Sequence, residues 1–121
     1  GYKLPIIFFD ACLTATLDYK LGGLISYPGF AYNIVKKPYG GAVAAIGATR
    51  VAFTHVDEHG VRGGAGYLNL HFFMNYEEGI TISEMLTAAQ NDYLNYIGRD
   101  CVTLEEFIII GDPSLKTGGY P

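Results

Sequence analysis

An apolar run from Leu4 to Phe9, centred on Ile6-Ile7-Phe8-Phe9, ends abruptly at Asp10. A short continuous run of this kind predicts a strand covered on both faces in a parallel sheet. Leu13 to Pro28 mixes Tyr, Gly and Thr with little periodicity and closes on Pro28-Gly29, the composition of a loop over the sheet's edge. Phe30, Ala31, Ile34 and Val35 then recur at helical spacing, and Lys36-Lys37 followed by Pro38 supply a basic end and a stop. A helix over residues 29–37 is expected.

After the Gly40-Gly41 turn, Ala42 to Gly47 reads as a second buried strand, its small side chains leaving room for a helix or loop to approach closely. Ala48 to Thr54 leaves the carboxyl end of that strand. His55 to Gly66, rich in glycine and charge, has the composition of an exposed loop, and Tyr67 to Tyr76 resumes helical patterning. Thr81-Ile82-Ser83-Glu84 has the form of a capping box. From there Ile82, Met85, Leu86, Ala89, Tyr93, Tyr96 and Ile97 trace one apolar stripe that Gly98 terminates. Glu106 to Ile110 is β-branched enough for a third strand, Gly111-Asp112-Pro113-Ser114 for a turn, and Leu115 to Pro121 for a short tail.

Strands alternating with helices define an α/β fold. Right-handed crossovers would make the three strands neighbours in one parallel sheet flanked by helices. The first strand is too apolar to stand at an exposed edge, so it is expected to pair with a strand outside these residues. The entry into that strand within four residues of Gly1 is likewise what a cut end would give.

The chain has 121 residues, half of them apolar, which suffices for one continuous core. Its net charge of -4 (12 acidic against 8 basic residues), with no basic run longer than Lys36-Lys37, argues against nucleic acid as a partner. No apolar stretch approaches the roughly 20 residues of a membrane-spanning helix. Two cysteines, Cys12 and Cys101, are too few for a disulfide scaffold.

In open α/β sheets, ligand sites lie outside the carboxyl ends of the strands, and Cys12 follows such an end directly. A free thiol, with a pKa of about 8.5, is mostly protonated at neutral pH, so a nucleophilic Cys12 needs a basic partner such as histidine. The competing reading of the same position is a buried cysteine acting as a small hydrophobe.

Three segments carry a family resemblance. Pro5 to Ala15 (PIIFFDACLTA), Gly40 to Thr54 (GGAVAAIGATRVAFT) and Phe107 to Lys116 (FIIIGDPSLK) resemble, in order and approximate spacing, the nucleophile strand, the following strand with its specificity loop, and the closing strand with its GDPSL turn of the gingipain-type C25 cysteine peptidases. Phe30-Ala31 also fits that pattern. The resemblance implies the carboxyl-terminal half of a caspase-hemoglobinase-like domain, a mostly parallel sheet with helices on both faces, spanning residues 1–121. It implies endopeptidase activity through a Cys/His dyad, with Cys12 as nucleophile and a backbone N–H, such as that of Cys12, stabilising the oxyanion. No cofactor is implied. The partners implied are a peptide or protein substrate and the preceding half of the same domain, or a second copy. Placement outside the cell or at its surface follows from the family only.

The resemblance also makes Thr49, Arg50, Phe53 and Thr54 candidates for lining the pocket of the residue before the scissile bond. Gingipains have an aromatic residue in this segment, and an ungapped reading puts it at Thr54, one position from Phe53. Arg50 has a second reading as a surface arginine paired within the fold. Asp112 reads as a turn residue accepting backbone hydrogen bonds. The dyad histidine of the family precedes the cysteine strand, and no histidine of this chain does. His71 sits among apolar residues as a core or interface histidine. His55 and His59, four apart beside carboxylates, are conceivable metal ligands but read better as loop residues. The alternative functions are a non-catalytic assembly module of the same fold and a sortase-like transpeptidase.

Overall fold

The computed structural model describes residues 3–23 and 25–118. The chain divides into two compact units, one of residues 1–52 with 106–111 and the other of residues 53–105 with 112–121.

The first unit is built on a three-stranded sheet of β1 (Ile6–Phe8), β4 (Ala44–Ala48) and β7 (Phe107–Ile110), in the order β1-β4-β7. β1 pairs parallel to β4 with Ile7 opposite Ala45, as the apolar runs predict. β7 pairs antiparallel to β4, with Ala48 opposite Phe107 and Ala45 opposite Ile110, which corrects the all-parallel expectation. The cause is where the chain re-enters. The Thr49 N–H donates to Glu106 O at 2.9 Å, so β7 starts beside the end at which β4 leaves and must run the other way. Phe8 and Phe107 stack across the sheet with centroids 5.4 Å apart.

α1 (Phe30–Lys36) packs on one face, where Ala15, Ala31 and Ala45 form a fully buried cluster covered by Phe9, Ile34, Val35, Ile108 and Ile110. The loop expected between Leu13 and Pro28 carries a two-stranded ladder of β2 (Lys20–Leu21) and β3 (Ile25–Ser26). Gly22 and Gly23, at φ 63° and 75°, make its turn; Leu24 lies outside the described residues.

The small residues of β4 admit a loop. The Leu13 N–H donates to Arg50 O and the Ala15 N–H to Ala48 O, both at 2.9 Å, so the chain doubles back after Cys12 and runs antiparallel along the continuation of β4. This brings it onto Gly47, where a Cβ would lie 2.6 Å from Thr14 Oγ1 and 3.2 Å from Ala15 Cβ. Gly47→Ala is therefore expected to destabilise this unit by roughly 1–3 kcal/mol through overpacking. Urea denaturation checks this, and the cost should shrink when Thr14→Ala removes the hydroxyl; equal costs in both backgrounds would show that the turn does not bear on Gly47.

The second unit contains a hairpin of β5 (Thr54–Asp57) and β6 (Gly60–Gly63), α2 (Gly64–Met74), α3 (Ile82–Tyr96) and most of α4 (Cys101–Glu106). The hairpin replaces the loop expected from His55 to Gly66. Asp57 Oδ1 accepts the His59 N–H at 2.8 Å, and Gly60, at φ 109°, completes the turn. Strand β5 is exposed throughout, so no apolar alternation marked it.

The capping box forms as predicted. Thr81 Oγ1 accepts the Glu84 N–H and Glu84 Oε2 accepts the Thr81 N–H, which also holds the Glu84 carboxyl below its usual range. Ile82, Met85, Leu86, Ala89 and Tyr93 are buried, while Tyr96 and Ile97 are exposed, so the buried stripe is shorter than the pattern suggested. Residues 113–117 are tied to the start of α3 by Ile82 N–H to Leu115 O and Thr117 N–H to Ile80 O, so they are not a free tail. Asp112 accepts the Ser114 hydroxyl at 2.7 Å and its N–H at 2.9 Å, which lowers its carboxyl's pKa and supports the turn reading. Among the described residues no helix is long and apolar enough to cross a membrane.

Candidate active site

Cys12 stands at the apex of the reversal that follows β1, beyond the carboxyl ends of the two parallel strands. Thr14 Oγ1 donates to Ala11 O at 3.2 Å across this turn. Leu13 is held at φ 59°, a left-handed conformation that costs a non-glycine residue on the order of 1–3 kcal/mol. The pull comes from its own N–H, which must reach Arg50 O.

The Cys12 side chain is exposed and the thiol is free, which sets aside the reading of a buried hydrophobe. Sγ donates to Ala52 O at 3.2 Å and accepts the Ala52 N–H at 3.3 Å.

Of the four pocket candidates, Thr49 and Arg50 share the unit of Cys12, whereas Phe53 and Thr54 open the second unit. The Thr49 hydroxyl is spent internally, donating to Glu106 O at 3.0 Å, and Thr49 O accepts from the Thr16 hydroxyl at 2.9 Å. Arg50 forms a two-pronged pair with Asp18, Nη1 to Oδ1 at 3.1 Å and Nη2 to Oδ2 at 2.8 Å, and its hydrogen bond holds the Asp18 carboxyl below the usual range. The sequence reading of an arginine paired within the fold is the one observed. Phe53 is 67% exposed. Thr54 Oγ1 accepts the Gly66 N–H at 3.0 Å.

Phe53 belongs to the rim of a cavity of about 490 Å³ in the second unit, whose wall includes His55, Arg62, Tyr93, Asp100 and Thr103. Its floor is a bonded chain. The Gly64 N–H donates to the Tyr93 hydroxyl, which donates to Asp100 Oδ2 at 2.9 Å. Asp100 also accepts the Thr103 hydroxyl at 2.7 Å, and this bond, more than any other, keeps its carboxyl below the ordinary range. Burial pushes the Tyr93 phenol up.

All three histidines lie in the second unit. His71 stacks on Tyr67 with centroids 3.9 Å apart, and its Nδ1 lies 2.9 Å from Asp92 Oδ2, as a packed core histidine would. That bond, followed by one from Asn75, lowers the Asp92 carboxyl's pKa. His55 and His59 sit on the exposed hairpin, where His59 Nε2 is 3.5 Å from Glu58. Among the described residues no group of three His, Cys, Asp or Glu side chains could hold a metal.

Sequence reasoning missed the left-handed Leu13, the Ala52 contact to sulfur, α4 and the cavity floor. Only Asp100-Cys101-Val102-Thr103 carried a signal, an aspartate at a helix start whose Oδ1 accepts the Thr103 N–H at 3.3 Å.

An exposed thiol at a reversal beyond the ends of parallel strands fits the class of α/β proteins that carry a cysteine nucleophile. The family model of peptidase family C25 matches residues 1–118. The chain belongs to that family, one of cysteine peptidases. No curated protein and no solved structure matches it.

Proposed function

We propose that this chain supplies the nucleophile of a cysteine endopeptidase, and the observation that carries the reading is the exposed Cys12 at the strand-end reversal within a chain matched to peptidase family C25. A histidine takes the Cys12 thiol proton as the sulfur attacks the substrate carbonyl carbon. The oxyanion accepts a hydrogen bond from the Cys12 N–H, the carbon–nitrogen bond breaks, and the amine leaves with the proton that the histidine carries. Water then hydrolyses the thioester, returning the thiol. The histidine comes from the preceding half of the same domain, whose strand pairs with the free side of the sheet at β1; placement outside the cell or at its surface goes with the same family reading.

Acid quenching of the complete protein during turnover of a slow peptide ester should leave an acyl group on the Cys12 peptide, seen by mass spectrometry. An acyl group on a different residue would overturn the assignment.

In this reading the segment Thr49 to Thr54 serves the residue before the scissile bond, and Arg50 and Phe53 are the positions at which substitution tests it. Arg50→Ala and Phe53→Ala should each shift the preferred residue at that position by about tenfold in kcat/KM, roughly 1.4 kcal/mol. Stability should barely move, since an exposed ion pair such as Arg50–Asp18 contributes about 0–1 kcal/mol. A substrate-library profile unchanged by both substitutions would remove the loop from the pocket.

A further inference from the structure

A second cavity, of about 370 Å³, opens in the first unit and begins one residue after the nucleophile. Its wall is Leu13, Thr16, Tyr19, Tyr27, Pro28 and Gly29. No lysine, arginine, aspartate, glutamate or histidine is among them. Leu13 is 46%, Tyr19 54% and Tyr27 51% exposed, so the cavity presents apolar surface that the described residues of this unit leave uncovered.

The wall is fixed from behind by the main chain. The Tyr27 N–H donates to Tyr19 O at 2.8 Å, continuing the β2–β3 ladder and setting the two rings on adjoining segments. Asn33 Nδ2 donates to Pro28 O at 2.8 Å, the Ala31 N–H to Thr14 O at 2.8 Å, and the Thr16 hydroxyl to Thr49 O at 2.9 Å. Leu13 is presented by its left-handed backbone, which the neighbouring bond to Arg50 O enforces. A preformed aromatic and aliphatic wall that starts at Leu13, the residue after Cys12, is a ready site for a side chain of whatever that cysteine attacks.

We propose that this cavity is a substrate subsite, distinct from the Thr49–Thr54 loop, that takes an uncharged aromatic or large aliphatic side chain of the peptide flanking the scissile bond. The inference rests on Cys12 being the nucleophile of the proposed function. An ionised side chain would lose hydration here without a countercharge in the wall. Asp18, nearby in sequence, is paired with Arg50.

The test reads the cavity through the rate of Cys12 alkylation and needs no hydrolysis. The complete protein is treated with chloroacetamide or N-benzyl chloroacetamide, modification is followed on the Cys12 peptide by mass spectrometry, and each rate is normalised to that of the probe with glutathione. The benzyl probe is expected to be at least about tenfold faster, a difference equivalent to about 1.4 kcal/mol. Tyr19→Ser combined with Tyr27→Ser should bring the ratio to within about twofold of one. Tyr19→Phe with Tyr27→Phe, which keeps both rings, should preserve it. Equal normalised rates in the unaltered protein, or a ratio insensitive to the serine variants while their melting temperature is unchanged, would overturn the subsite. A Cys12 that reacts with neither probe would remove it together with the nucleophile. Hydrolysis that survives Cys12→Ala while the benzyl preference persists would remove the proposed function and leave the cavity's preference standing.

Discussion

Cys12→Ala in the complete protein is expected to lower kcat/KM for peptide hydrolysis by at least about 10⁴-fold, because in the proposed mechanism this residue forms the covalent bond and has no substitute once removed. Stability should change by less than about 1 kcal/mol. The side chain is exposed, its hydrogen bonds among the described residues are the two weak sulfur contacts to Ala52, and alanine fits in the space of the thiol. The reversal itself is held by Leu13, Thr14 and Ala15, none of which the substitution touches. Cys101→Ala provides the contrast. Cys101 is equally exposed but starts α4 in the second unit, and its loss should leave turnover within about twofold. The measurement is steady-state hydrolysis beside a thermal melt, and turnover by Cys12→Ala comparable with that of the parent would refute the nucleophile assignment.

Much of this arrangement was legible from local chemistry. Ile6-Ile7-Phe8 and Ala44 to Ala48 announced buried strands because both are apolar without alternation, and a cysteine just after the first of them is a strand-end position by arithmetic alone. The capping box at Thr81 and the buried residues of α3 from Ile82 to Tyr93 were equally plain, since their signals are short-range. The direction of β7 was not, because it depends on where the chain returns after more than fifty residues, and Glu106 meeting Thr49 is a tertiary fact. The hairpin of β5 and β6 was hidden because an exposed two-stranded ladder needs no apolar alternation. Leu13 was hidden for a different reason. Nothing in a leucine signals a positive φ, and only the reach of its N–H to Arg50 forces one. The same event puts Leu13 on the cavity wall, so the sequence marked the strand-end cysteine while leaving its immediate surroundings unread. Gly47 was noticed as small, but the partner that needs the space is the returning turn at Thr14 and Ala15.

These 121 residues purified alone are expected to show no peptide hydrolysis and to elute in size exclusion as a dimer or larger species. Two independent features lead there. The unit that holds Cys12 contains no histidine, so the base of a Cys/His dyad has no source within it. Its sheet, in the order β1-β4-β7, leaves β1 as an edge strand, with Ile6 and Ile7 half-buried and Phe8 buried. An apolar edge of this kind is a template for another strand, and in the absence of its proper neighbour a second copy of the chain is the nearest substitute. Co-expression with the preceding half of the domain that the proposed function calls for should suppress self-association, because pairing along β1 would satisfy the edge and bury its isoleucines. The product expected is a one-to-one complex that hydrolyses peptides and loses that activity with Cys12→Ala. A charged substitution on the strand, Ile7→Lys, should weaken both the self-association and the assembly with the missing half. If instead the isolated chain proves to be a soluble, active monomer, both features fail together, for the base would then have to come from His55, His59 or His71 and the three-stranded sheet would have to stand alone.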